Sequence, residues 1–133
     1  MTARSDRDLQ AVKDYLDASM APDPERAARY VASPFLVRFT GNRRFDAPDG
    51  PTSFNAARYR WVKKRIDRYD VVPGAEETII YSIGHLYGEW PDGTPFDHNR
   101  YVDRFVVRDG LIVETDVWND SAEWILDPSI ART

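Results

Sequence analysis

Arg104-Phe105-Val106-Val107-Arg108-Asp109-Gly110-Leu111-Ile112-Val113-Glu114 reads as two strands joined by a tight turn. Asp109-Gly110 supplies the turn, and the β-branched and aromatic flanks suit a pleated, half-buried surface. Working back toward the N-terminus, Phe96 to Val107 forms one long strand. Pro91-Asp92-Gly93-Thr94 is a turn, and Thr78 to Trp90 is the strand that returns from it. Each long strand has about a dozen residues, against a typical five or six, so both must twist and bend. Gly84 and Gly88 suit such a bend. Downstream, Leu111 to Val117 completes the hairpin and Asp120 caps a last helix through Trp124.

The first half reads differently. Ser5 caps a helix, with Asp8 three residues on in the manner of a capping box, and Leu9, Val12, Leu16 and Met20 form one apolar stripe. Pro22 ends it. Asp23 caps a short second helix with Pro24 at its first position, and Ala27, Tyr30 and Val31 form its buried side. Pro34 stops that segment and Phe35 to Phe39 is a strand; residues 41–51 are a polar loop. Ser53 starts a third helix with Phe54, Ala57, Trp61 and Val62 on one side, and Tyr69 to Val72 is a short strand ending at Pro73-Gly74. Helices first and strands afterwards predict one α+β domain over residues 1–133. Its strongly bent antiparallel sheet would form a cone over three main helices.

Composition bounds the function. The 133 residues carry 18 basic and 22 acidic side chains, a net charge of −4, and are 42% hydrophobic and 30% charged. That is an ordinary globular composition, and the acidic balance argues against nucleic acid as a partner. No apolar run approaches the roughly 20 residues of a membrane span. The polar first ten residues predict no signal peptide, and a cytoplasmic protein is expected; the absence of cysteine rules out disulfides. Without cysteine, and with only His85 and His98, there is no thiolate nucleophile, no cysteine-ligated metal and no three-histidine zinc site.

The 104–114 hairpin, with Trp118 and Asp120 after it, resembles the F-x-v-x-D-G-k-I-x-E hairpin and w-x-D segment of one superfamily. That superfamily joins nuclear transport factor 2 to ketosteroid isomerase, and the likeness is to its SnoaL-like branch. The order helix, Asp23, helix, strand, helix extends the resemblance over nearly the whole chain. It implies a cone-shaped α+β fold, but not one activity, because members include isomerases, cyclases, dehydratases, epoxide hydrolases and non-catalytic binders. Against ketosteroid isomerase, Val12-Lys13-Asp14-Tyr15-Leu16 places Tyr15 on the oxyanion-hole tyrosine. Tyr101 falls where that enzyme has a protonated aspartic acid, and Phe39 falls on its general base. The last-strand carboxylate of limonene epoxide hydrolases and phenazine-type members aligns with Val117, so that acid is missing too. Asp120 is the nearest match to the acid of SnoaL-type cyclases.

Several residues have two readings. Tyr101 and Asp103 share a strand face with Asn99 and Phe105, as donor and base at a cavity wall or as a buried polar pair fixing the sheet. His85 lies on the opposing strand. Facing in, it meets Tyr101 and Asp103 as a tuned base; facing out, it joins Tyr81 and Tyr87 at a dimer surface. Tyr15 is an oxyanion donor or a rim residue of its helix. Arg58 and Arg65 fall in the apolar sector of the third helix, where an arginine pairs with Asp103 or an anionic ligand, or lays its stem on apolar surface. The run Arg58, Arg60, Lys63, Lys64, Arg65, Arg68 reads as a solvated helix face. Asp120 reads as a helix cap or a site acid.

The expected activity is proton abstraction next to a carbonyl of a hydrophobic small molecule, hence isomerisation, cyclisation or dehydration, chemistry that calls for no metal or organic cofactor. Asp103, His85, Tyr101 and Tyr15 would carry the chemistry. Arg58, Trp61, Phe39, Phe105, Asn99 and Val117 would line the ligand site. The alternative is a non-catalytic, dimeric pocket protein. Alternation along the strand puts Arg100, Val102, Arg104 and Val106 on the outer face, so a homodimer is expected there.

Overall fold

The computed structural model describes residues 2–127 and Ser129. Helix α1 (Ala3–Met20) packs on a six-stranded sheet, and α2 (Pro24–Ala27) follows a turn. Strand β1 (Val31–Arg38), the two-residue β2 (Arg44–Phe45) and α3 (Asp49–Arg58) complete the first half. The long strands β3 (Trp61–Pro73), β4 (Thr78–Glu89), β5 (Pro95–Arg108) and β6 (Leu111–Asn119) precede α4 (Ser121–Leu126). The spatial order is β2-β1-β6-β5-β4-β3. All neighbours are antiparallel except β1 and β6, which run parallel, a departure from the fully antiparallel expectation. The parallel pair arises because the chain leaves β1 through α3 and three long strands before β6 returns to its side.

The sheet bends at glycines and bulges. Asp67 is an extra residue between the pairs Ile66↔Gly84 and Arg68↔Ile83. His98, at φ +61°, lies where β5 gains a residue against β4. At Gly84 and Gly88, any Cβ would collide with the backbone carbonyls of Arg65 and Trp61, so only glycine lets β3 approach β4 this closely. The concave face holds two apolar clusters. One joins Val12, Tyr15 and Leu16 of α1 to Phe35, Val37, Ile80, Phe105 and Ile112; the other joins Tyr59, Leu86, Phe96 and Tyr101.

Three local readings are corrected. The first helix is capped by Thr2, in a reciprocal box with Ser5, and Asp8 instead accepts a 2.6 Å hydrogen bond from the buried Thr78 hydroxyl. The third helix ends at Arg58, so Trp61, Val62 and Arg65 belong to β3. On β3, Val62 and Lys64 face inward two residues apart, while Lys63, Arg65 and Arg68 make this edge strand look helical and solvated in sequence. Asp120 does sit at the N-cap of α4, but its carboxylate takes Arg100 Nε at 2.7 Å; Asn119 accepts from Ser121 N instead.

Candidate functional site

Between the two clusters lies a cavity of about 70 Å³. Tyr15, Leu16, Ser19 and Met20 of α1 form one wall, and Val37, Phe39, Phe105 and Val117 another. Pro48, Pro51, Thr52 and Asn55, around the start of α3, border it on a third side. The cavity is well below the roughly 300–1,000 Å³ of common ligand sites, so it suits a compact occupant.

Its polar floor is Asp103 and Lys64. Asp103 is 1% exposed, and its Oδ2 accepts a hydrogen bond from Lys64 Nζ, whose side chain is 12% exposed. Asp103 Oδ1 is buried with no protein partner, as is Thr115 Oγ1 on the same cavity lining. Burial pushes the Asp103 carboxyl above the usual carboxylate range, and the Lys64 ammonium only partly offsets this. The geometry follows from register. Asp103 opposes Ser82 and Lys64 opposes Leu86, all on the concave face, so the β3 amine reaches across β4 to the β5 carboxylate.

Two tyrosines flank the pair. Tyr15 is 6% exposed, with its ring edge-on to Phe105 at 5.9 Å. Burial pushes its hydroxyl up to about 12, moderated by a hydrogen bond with Ser19 and raised further by the charge of Asp103. It is therefore a neutral donor at physiological pH. The Tyr101 hydroxyl shares a 2.8 Å hydrogen bond with Ser82 Oγ, and Lys64 Nζ lies 4.7 Å from its ring centre. Burial pushes the Tyr101 hydroxyl up as well, making it a weaker acid.

The expected site residues divide. Asp103, Tyr101, Tyr15, Phe39, Phe105 and Val117 all line this cavity. His85 does not: it pairs with Arg100 across the ladder on the convex face, and its Nδ1 lies 3.0 Å from Asp67 Oδ2. The bulge at Asp67 brings that carboxylate to it. Trp61 is 41% exposed and lies edge-to-face with Tyr87 at 5.9 Å, outside the cavity, because it sits on a strand rather than on the helix. Arg58, at the end of α3, stacks on Phe54 at 4.6 Å and does not reach Asp103. Asn99 shares the concave face but donates to Ser121 Oγ at 2.8 Å, beyond the cavity lining. Lys64 is the residue that sequence reading missed; its signal was the alternation Val62-Lys64-Ile66. Among the described residues no cluster of three or more His, Cys, Asp or Glu side chains is placed to hold a metal.

No family model and no curated protein matches the chain. Its fold does match solved structures. An NTF2-like protein of unknown function from Burkholderia pseudomallei superposes with a TM-score of 0.74 at 15% identity, covering 90% of this chain and 95% of that one. A presumed SnoaL-like polyketide cyclase from Jannaschia superposes with a TM-score of 0.71 at 15% identity over 98% and 94%. A presumed ketosteroid isomerase from Shewanella frigidimarina gives 0.68 at 14% over 84% and 94%. The chain therefore has the NTF2-like α+β fold, the one shared by SnoaL-like and ketosteroid isomerase-like proteins.

Proposed function

We propose that this single domain is a small-molecule enzyme that moves a proton next to a carbonyl, as an isomerase, cyclase or dehydratase, without metal or organic cofactor. The observation that carries the reading is Asp103: a buried carboxylate on the cavity lining, with one oxygen on Lys64 and the other without a protein partner. A carbonyl compound seated there presents an α-hydrogen to the Asp103 carboxylate. The C–H electron pair becomes the enolate C=C, and the proton passes to Asp103. Tyr15 and the Lys64 ammonium stabilise the developing enolate oxygen, donors that act strongly in a dry site. Return of the proton to another carbon isomerises the substrate. Attack of the enolate on a second carbonyl cyclises it, and expulsion of a β-hydroxide dehydrates it. Fold likeness to SnoaL-like and ketosteroid isomerase-like proteins supports this class of chemistry by analogy.

The test is deuterium exchange at the α-carbon of butanone and cyclopentanone in heavy water, followed by proton NMR. The protein should accelerate exchange over buffer, and Tyr15→Phe should slow it by about 10²–10³, the usual effect of losing one oxyanion donor. A second reading, a non-catalytic binder, is favoured by one observation: the Tyr101 hydroxyl is already engaged by Ser82. Saturable ketone binding with exchange at the buffer rate would select that reading.

We also propose a cytoplasmic homodimer joined through the convex sheet face, where Val72 and Trp118 are 50% and 56% exposed. No helix of the described residues is long and apolar enough to cross a membrane.

A further inference from the structure

We infer that Lys64 is an imine-forming amine, which captures neutral aldehydes and ketones covalently in the cavity. The inference rests on the carbonyl reading of that cavity and adds a nucleophile to it. The chain has three lysines, Lys13, Lys63 and Lys64, and only Lys64 lines the cavity. Lys63 Nζ donates to the backbone carbonyl of Met20, and Lys13 Nζ lies 5.4 Å from the Tyr69 ring centre. Lys64 Nζ meets the Asp103 carboxylate below and the Tyr101 ring face at its side.

A lysine and a carboxylate buried together can exchange one proton and become two neutral groups, which removes the desolvation of both charges. The burial that raises the proton affinity of Asp103 works in the same direction as that transfer. The proton-exchanged form, reached from the resting ion pair, presents an amine lone pair to the cavity and a carboxylic acid beside it. The Lys64 nitrogen lone pair then adds to the carbonyl carbon, and the carbonyl oxygen takes the proton of Asp103. The amine gives up a second proton to that hydroxyl, which leaves as water. The products are an iminium on Lys64, the Asp103 carboxylate as its counter-ion, and one water molecule. The iminium draws electrons from the α-carbon more strongly than a carbonyl does, so Asp103, now ionised, is the adjacent base for α-proton removal. Because the Lys64–Asp103 pair has no net charge, and Phe39, Phe105 and Val117 wall the cavity, the substrate class is a compact neutral carbonyl compound rather than a carboxylate or phosphate.

The test is reductive trapping. The full chain is incubated with propanal or butanone and sodium cyanoborohydride at neutral pH, then measured by intact mass and peptide mapping. One alkyl group should appear fastest at Lys64, and it should be absent in Lys64→Arg, which keeps the charge but forms no imine. Asp103→Asn, which removes the acid, should slow labelling at least tenfold. Labelling spread over Lys13, Lys63 and the N-terminus, with Lys64 no faster, would overturn the inference. The α-exchange assay on the same samples separates the two ideas. Exchange that persists in Lys64→Arg removes the imine and leaves the Asp103 base standing; wild-type protein that neither exchanges nor traps removes both.

Discussion

Asp103 is held in conflict: its depth favours the protonated acid, while the ammonium of Lys64 favours the carboxylate. Burial is the larger influence, so the carboxyl should titrate above the ordinary value of about 3.9. Lys64→Met removes the offsetting charge and should move the midpoint higher still. Carboxyl-carbon NMR titration of the wild type and this variant measures both; a midpoint that falls in Lys64→Met would contradict the assignment. The same shift links to stability. The folded state binds this proton more tightly than the unfolded chain, so Asp103's contribution is fully present below the unfolded value and is lost as pH rises toward the folded one. At this scale Asp103 and Tyr101 were legible because both share strand parity with Phe105. His85 was not. Its face depends on register across β3, β4 and β5, and two bulges intervene that no local residue pattern announces.

At the scale of elements, the bend in β4 is what lets a β3 side chain reach β5. Gly84 is one of two positions where the β3 backbone presses against β4, and its missing side chain is the reason the strands can meet there. Gly84→Ala should cost about 1–3 kcal/mol, the usual range for overpacking, and should weaken Lys64–Asp103 contact as β3 is displaced. Denaturant melting checks the first effect, and an unchanged midpoint would show that the strand yields freely. Thr78→Val should be similarly costly, about 1–3 kcal/mol, because it strands the buried Asp8 carboxylate. The 104–114 hairpin was legible because Asp109-Gly110 turns it and its flanks alternate. The α3–β3 boundary was not. No glycine or proline separates Arg58 from Trp61, and the charges of an exposed edge strand mimic a solvated helix face. The residue hidden by that misreading, Lys64, is the one that completes the site.

For the whole molecule, helix α1 and the bent sheet border a small cavity, while the convex face stays open. An ion network on that face joins Arg38 to Glu114 and Asp116, with Arg104 3.4 Å from Asp116, so the charges there are already compensated. Apolar contact, centred on Trp118, is then what a second copy would cover. Trp118→Glu should shift the protein from dimer to monomer in light scattering at micromolar concentration without altering its circular dichroism. A wild-type monomer would sink the dimer proposal and leave the site untouched. The cone was legible from helix-then-strand order and strand length; the parallel β1–β6 pairing was not, because partner choice between distant strands leaves no local signature.

The proposed chemistry turns on Asp103 taking a proton from a carbonyl compound in this cavity. Proton NMR of butanone in heavy water, with wild type and Asp103→Asn compared at equal ketone occupancy, tests it most directly. The wild type should show α-exchange well above buffer, and Asp103→Asn should show exchange at the buffer rate with the fold intact. Full exchange by Asp103→Asn would contradict that chemistry.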